Sequence, residues 1–342
     1  MSAAVKGKRM AMLSRGTKGI IFRLFVFSGI NAHIFSRGKM KRYIVTGYFL
    51  ALVAVFLWSQ NILLAQGFKD RILPLEFAFG RWLIALMVLL PIGGKNVWHY
   101  RAYLWKKESW LMGLALSGIV LTNTLIYVAA KTIDSVTISL LNLPGPIFLV
   151  ILTAIFLKQT IGWRQALGMT IAIGGVVMIL IGGHNHPNDG FEFKSGDWWM
   201  ILNAFCFAVY SFLQTKRPPF ISQITLLTAT VLIGVLVLSP AFFLFDWEHA
   251  KTLGYQEWLV LAFLGIFNSV LAYLAWNSAL ARIGPIKTGI VFYLQPVFSI
   301  VGAALIFGSP IYPVQLIGGT IIIAGICLTN RSNKEILKSE EA

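Results

Sequence analysis

Acid is scarce in this chain: 13 Asp and Glu stand against 29 Lys and Arg in 342 residues. Charged residues of both signs make up only 12% of it, about half the share of a soluble globular domain. Cysteine is nearly absent. Cys206 and Cys327 each fall inside an apolar stretch, so they offer no disulfide framework and read as small buried hydrophobes. There is no Gly-x-x-x-x-Gly-Lys-Ser/Thr loop, which argues against an ATP-driven pump. His184 and His186 could suggest a metal, but they lie in a Gly/Asn/Pro stretch with no further His or Cys close by, and a metal needs more ligands than two. No acid–base or nucleophile cluster shares a common depth, so an enzyme is disfavoured and no cofactor is implied.

Apolar length is what the chain has in abundance. It is 57% hydrophobic, with a mean hydropathy of +0.75. Ten segments reach about 20 mostly apolar residues, enough to cross ~30 Å of hydrocarbon as helix. They lie near 43–65, 75–93, 110–130, 134–157, 165–182, 197–215, 221–244, 257–280, 286–307 and 312–330. None shows the period-2 alternation of a barrel strand, and lipid leaves helix as the remaining way to satisfy the backbone.

The net charge of +16 could indicate a nucleic-acid partner, so its distribution decides its meaning. Residues 1–42 hold ten Lys/Arg and no acid. Thirteen more lie in alternate loops and the C-terminal tail (94–109, 158–164, 214–220, 281–287 and 331–342), against five in the opposite loops: Lys69, Arg71, Lys131, Lys194 and Lys251. A bias of that size places both termini in the cytoplasm and makes the basicity a matter of topology, with the lipid bilayer and not nucleic acid as the partner. Residues 1–39 fit this plan least. They are either the product of an upstream start-codon assignment or a disordered basic tail on the anionic leaflet.

The segments also repeat. Pro146, Gln165, Gly168 and Gly175 recur 150 residues later as Pro296, Gln315, Gly318 and Gly325. Phe148, Ala154, Ile171 and Ile173 recur as Phe298, Ala304, Ile321 and Ile323, and Ala129 and Ile133 as Ala279 and Ile283, without a gap. Shared apolar residues are cheap between membrane helices, but shared Pro, Gln and Gly are not, because each constrains the backbone or carries polarity. Five spans per half is odd, so the second half inserts upside down. The expected fold is therefore an all-α integral membrane protein of ten transmembrane helices in two inverted five-helix repeats, 43–182 and 197–330. A basic cytoplasmic tail (1–42), an external linker (183–196) and a second cytoplasmic tail (331–342) complete the plan.

Polarity inside the spans points to where a solute binds. Pro144, Pro146 and Pro296 fall near the centres of the fourth and ninth spans. A proline donates no backbone N–H, so the carbonyls of Leu140, Asn142 and Phe292 should lose their helical partners and face a cavity, as discontinuous helices do in carriers. At similar depth lie Asn123 in the third span, Asn142 in the fourth, Asn268 in the eighth, and Tyr293 and Gln295 in the ninth. Tyr273 and Trp276 in the eighth span, with Trp58 in the first, read as either cavity lining or interfacial anchors. Arg81 lies deep in the second span, where it either snorkels or faces the cavity and favours anionic or zwitterionic solutes. Glu76, five residues earlier, sits toward the outer interface. The substrate-binding residues expected are Asn123, Asn142, Asn268, Tyr273, Trp276, Tyr293, Gln295, Trp58 and Arg81, with Pro144, Pro146 and Pro296 as helix kinks. Gly168 and Ala172, four apart, read as close helix packing.

At this point the chain resembles the drug/metabolite transporter superfamily in its EamA branch. Thr124-Leu-Ile-Tyr-Val-Ala-Ala130 through Pro146 to Gly175, and Tyr273-Leu-Ala-Trp276 through Pro296 to Gly325, carry the likeness, with Trp58-Ser59 and Arg81 in support. It covers about 43–330. The resemblance implies a bacterial inner-membrane carrier that exports amino acids, related metabolites or drugs by alternating access, with a small-molecule substrate and a homodimer left open. A flippase for a lipid-linked substrate is the alternative, an intramembrane enzyme a more distant one. Members commonly carry a Glu after the fourth and ninth spans, where this chain has Gln159 and Ser309.

Overall fold

The structure, a computed structural model, describes residues 37–158, 162–182 and 194–339. The basic tail up to residue 36, Gln159, and His184 and His186 of the linker lie outside the described residues. So do the last three positions.

The described residues are helical almost throughout, with no strand among them. In chain order α1 is Arg37–Phe68, α2 Pro74–His99, α3 Glu108–Ala129, α4 Ser135–Leu157 and α5 Trp163–Gly182. They are followed by α6 Ser195–Gln214 and α7 Gln223–Ala250, and then by a 53-residue apolar run, Tyr255–Phe307. As one straight helix that run would be about 80 Å long, far beyond a bilayer. It breaks at Gly284 (φ 78°, ψ 166°) before Pro285, giving α8 (255–283) and α9 (285–307). The last helix, α10, is Pro313–Ser339. Among the described residues six runs are long and apolar enough to span a membrane: Arg42–Phe68, α2, α3, α4, α7 and Tyr255–Phe307. Trp163–Ile179 and Pro313–Leu328 are shorter apolar helices.

Local chemistry fixes where several helices begin. Asp134 Oδ1 accepts from Val136 N (2.9 Å) and Thr137 N (3.0 Å) ahead of α4, and Ser222 Oγ accepts from Thr225 N (3.1 Å) ahead of α7. These are N-caps, which satisfy amides that no helical carbonyl can reach. The recurring glutamines act the same way in each repeat. Gln165 Oε1 accepts from Gly162 N at 3.1 Å, and Gln315 Oε1 from Tyr312 N at 3.1 Å. Their recurrence is thus explained by capping.

The recurring glycines hold the two repeats together. A Cβ on Gly175 would lie 2.6 Å from the carbonyl oxygen of Gly318, and one on Gly325 would lie 2.5 Å from that of Gly168 and 2.8 Å from Ala172 N. Helices α5 and α10 therefore approach backbone to backbone, as small residues permit. Gly168 corresponds to Gly318, and Gly175 to Gly325. Moving forward along α5 from Gly168 to Gly175 meets partners moving backward along α10 from Gly325 to Gly318, so the equivalent helices run antiparallel about a local two-fold axis. Elsewhere α1 packs on α8 and α9, α2 on α7, and α4 on α6.

The prolines behave differently from expectation. In α4 the helix Ser135–Leu141 stops and restarts at Pro144, with that proline in its first turn. In α9 a 3-10 turn, Phe292–Leu294, precedes the restart at Gln295. The carbonyls expected to face a cavity are taken up locally. Leu140 O accepts from Leu143 N (3.1 Å), Asn142 O from Gly145 N (3.1 Å), and Phe292 O from Gln295 N. Tightening to an i+3 bond costs less than leaving a carbonyl unpaired in an apolar core, so the polarity at these breaks comes from side chains.

Candidate functional site

Helices α3 and α8 each contain a π-helical stretch, Ala115–Leu121 and Leu264–Leu271, at corresponding places in the two repeats. A π turn spans one residue more than an α turn and offsets carbonyls from their usual donors. Side chains five residues on take them: Asn123 Nδ2 donates to Gly118 O (3.0 Å), Ser269 Oγ to Leu264 O (3.1 Å), and Thr122 Oγ1 to Ser117 O. Asn123 and Tyr273 are repeat equivalents, 150 residues apart, and they touch: Asn123 Nδ2 donates to Tyr273 OH at 3.1 Å. A residue can meet its own repeat mate only near the axis relating the repeats. Tyr273 OH in turn donates to Gly118 O at 2.6 Å.

A second polar chain crosses the axis beside the first. Asn203 Nδ2 on α6 donates to Asn142 Oδ1 (2.9 Å), and Asn142 Nδ2 donates to Gln295 Oε1 on α9 (3.1 Å). Ser59 Oγ on α1 reaches Gln295 O at 3.3 Å. Around these amides stands an aromatic cluster centred on Trp58. Its ring lies 5.1 Å from Phe207, 5.3 Å from Trp276, 5.4 Å from Tyr273 and 6.1 Å from Phe292, centroid to centroid, at the separations of edge-to-face and tilted pairs.

Between the chains and the rings lies a cavity. Asn61, Thr122, Asn123, Asn142, Tyr273 and Gln295 form its polar wall, and Trp58, Ile126, Phe207 and Phe292 its apolar wall. Only about 20 Å³ of it is open to the centre of a water molecule, room for roughly one water. The cavity as it stands is too small to hold an organic solute.

Of the residues expected to bind substrate, Trp58, Asn123, Asn142, Tyr273 and Gln295 line this cavity. Trp276 lines an adjoining space with Pro146 and Phe292, where its Nε1 donates to Ser211 Oγ at 3.1 Å. Asn268 and Tyr293 are fully buried, and among the described residues neither the Asn268 amide nor the Tyr293 hydroxyl has a partner. Arg81 stands directly behind the wall. Its Nη1 donates to Tyr127 OH (2.7 Å) and Asn61 Oδ1 (3.3 Å), and its Nε to Ser269 Oγ (2.8 Å). Pro144 is not among the residues lining either space.

Sequence reasoning missed Asn61, Ile126, Phe207 and Phe292. Asn61 follows Trp58 by three residues and so shares its helix face, a signal that was present. Phe292 is the repeat mate of Asn142, so the repeat itself pointed to it. Nothing in the sequence singles out Phe207.

A cavity on the axis between two membrane-embedded repeats, walled by neutral amides and rings, defines a repeat-built membrane transporter. The chain belongs to the EamA-like transporter family, whose model matches residues 45–181 and 194–331. Among its relatives is "Uncharacterized transporter YyaM" of Bacillus subtilis, 28% identical over 62% of this chain and 70% of that one. An "Uncharacterized transporter" of Archaeoglobus fulgidus is 26% identical over 82% and 96%. The "Probable terminal-alkyne amino-acid exporter" of Streptantibioticus cattleyicolor is 30% identical over 57% and 64%. A solved structure titled only "Crystal structure of protein" shares the fold, with a TM-score of 0.67 at 18% identity, over 85% of this chain and 99% of that one.

Proposed function

We propose that the chain crosses the bacterial inner membrane ten times, as two inverted five-helix repeats (43–182 and 197–330), and exports small organic metabolites by alternating access. Both termini lie in the cytoplasm, and the substrates are amino acids or related compounds, with drugs a further class. The observation that carries this reading is the contact between Asn123 and Tyr273, which puts the polar cavity on the axis about which the halves would rock. In support, the equivalent helices α5 and α10 run antiparallel, loop charge is strongly one-sided, and one relative bears the name of an amino-acid exporter. Amides from both halves would hydrogen-bond the solute's polar head while Trp58, Phe207 and Phe292 cover its apolar part. Cells loaded with a panel of amino acids and drugs, with and without the gene, test the proposal by efflux. Asn142→Ala and Gln295→Ala, expressed at normal levels, should each slow efflux of the responding solute by about tenfold or more. Unchanged efflux in both variants rejects the site.

A further inference from the structure

We propose that Arg81 is the receptor for a carboxylate on the transported solute, so that the carrier favours solutes bearing that group. The inference rests on the carrier reading and adds to it the charge of the cargo.

Arg81 is completely buried in α2, within a run apolar enough to span the membrane. Among the described residues no carboxylate lies within ion-pair distance of it. The three oxygens it binds, on Ser269, Tyr127 and Asn61, are all neutral, and its Nη2 has no partner among the described residues. The ring of Trp82, 5.0 Å from the guanidinium carbon, adds a cation–π contact. A purely structural role explains this poorly, because an uncompensated ion in a membrane core is costly and a neutral amide could donate to such oxygens without a charge. The site is therefore built for a negative group that the protein does not itself supply.

The position fits the same reading. Asn61 lines the cavity, and its Oδ1 accepts from both Tyr127 OH (2.8 Å) and Arg81 Nη1 (3.3 Å). That amide oxygen stands where a carboxylate oxygen would stand. A solute carboxylate taking over those donors and reaching the free Nη2 would meet the planar fork of the guanidinium with two parallel bonds. Asn61 lines the cavity in front of Arg81, so the solute reaches the guanidinium as the cavity widens.

Binding by the purified full-length protein tests the proposal, with phenylacetate and its neutral isostere phenylacetamide as probes in chloride-free buffer. Phenylacetate should bind saturably and at least about tenfold more tightly, the scale of a charge-assisted hydrogen bond. Arg81→Gln should bring the ratio to about one, while Arg81→Lys, which keeps the charge and loses the fork, should leave it in between. Should Arg81→Gln fail to fold, the wild-type ratio and the lysine variant still decide. Equal binding of the two probes, binding of neither, or a ratio that survives in Arg81→Gln overturns the proposal. So does chloride, if adding it raises phenylacetamide to the level of phenylacetate, because the counter-charge is then an inorganic anion. Flux of a solute panel in liposomes separates the two layers. Transport with no preference for carboxylates sinks this inference and leaves the carrier. Anion-selective binding without any flux sinks the carrier and leaves the site.

Discussion

Gly174 and Gly175 are neighbours in one helix, yet alanine should act on them in opposite directions. Replacing glycine by alanine inside a helix is worth about 1 kcal/mol in intrinsic propensity, and both positions receive that gain. At Gly174 the added Cβ meets nothing within 4 Å among the described residues, so the variant should be more stable by about that amount. At Gly175 the Cβ would sit 2.6 Å from Gly318 O and 3.0 Å from both the backbone N and Cγ1 of Ile322. Two of these atoms are backbone, so relief requires α5 and α10 to part by several tenths of an ångström. Overpacking of this kind costs about 1–3 kcal/mol, which cancels or exceeds the propensity gain. Gly175→Ala should therefore lie about 1–3 kcal/mol below Gly174→Ala. Gly325→Ala, with its Cβ 2.5 Å from Gly168 O, should match Gly175→Ala. The two together should cost less than their sum, because one separation of the helices relieves both contacts. Thermal unfolding in a single detergent reads all four variants. Gly175→Ala melting at or above Gly174→Ala would refute the antiparallel glycine contact.

Two further stability predictions follow from backbone and buried charge. Lys158, at the end of α4, adopts φ 49°, while its repeat mate Gly308 adopts φ 65°. A left-handed non-glycine residue costs about 1–2 kcal/mol and glycine's added unfolded-state freedom about 0.5–1 kcal/mol, so Lys158→Gly should stabilise by about 0.5–1 kcal/mol, read as a raised melting temperature. Glu76, buried at the start of α2, accepts from Leu73 N (2.7 Å) and contacts His249 Nδ1 on α7 (2.7 Å). Glu76→Ala should cost about 1–3 kcal/mol. His249→Ala, at a side chain 41% exposed, should cost less in the same melts.

The duplication was legible because Pro, Gln and Gly recur at a fixed interval, and each has a local physical role. Gln165 and Gln315 cap helices, while Gly175 and Gly318 let two backbones meet. The site was half legible. Polar residues deep in apolar runs flagged Asn123, Asn142 and Gln295, since such residues need partners wherever they sit. Which of them share a cavity depends on how helices rotate, and the π-helical stretches in α3 and α8 alter that rotation in a way no hydrophobic period records. The same limit applies to Asn268 and Tyr293, which looked like liners and are buried to the side. The freed proline carbonyls failed for a different reason: a 3-10 turn satisfies them within the chain, at lower cost than a cavity would.

Alternating access at the axis can be tested without knowing the cargo. Ile126 lines the cavity and has no part in its amide chains. With Cys206 and Cys327 replaced by alanine, Ile126→Cys can be probed in membrane vesicles of both orientations with a membrane-impermeant thiol reagent. Labelling should occur from either face, slowly in each case because the cavity admits only about one water. Labelling from one face alone, or from neither, would contradict alternating access.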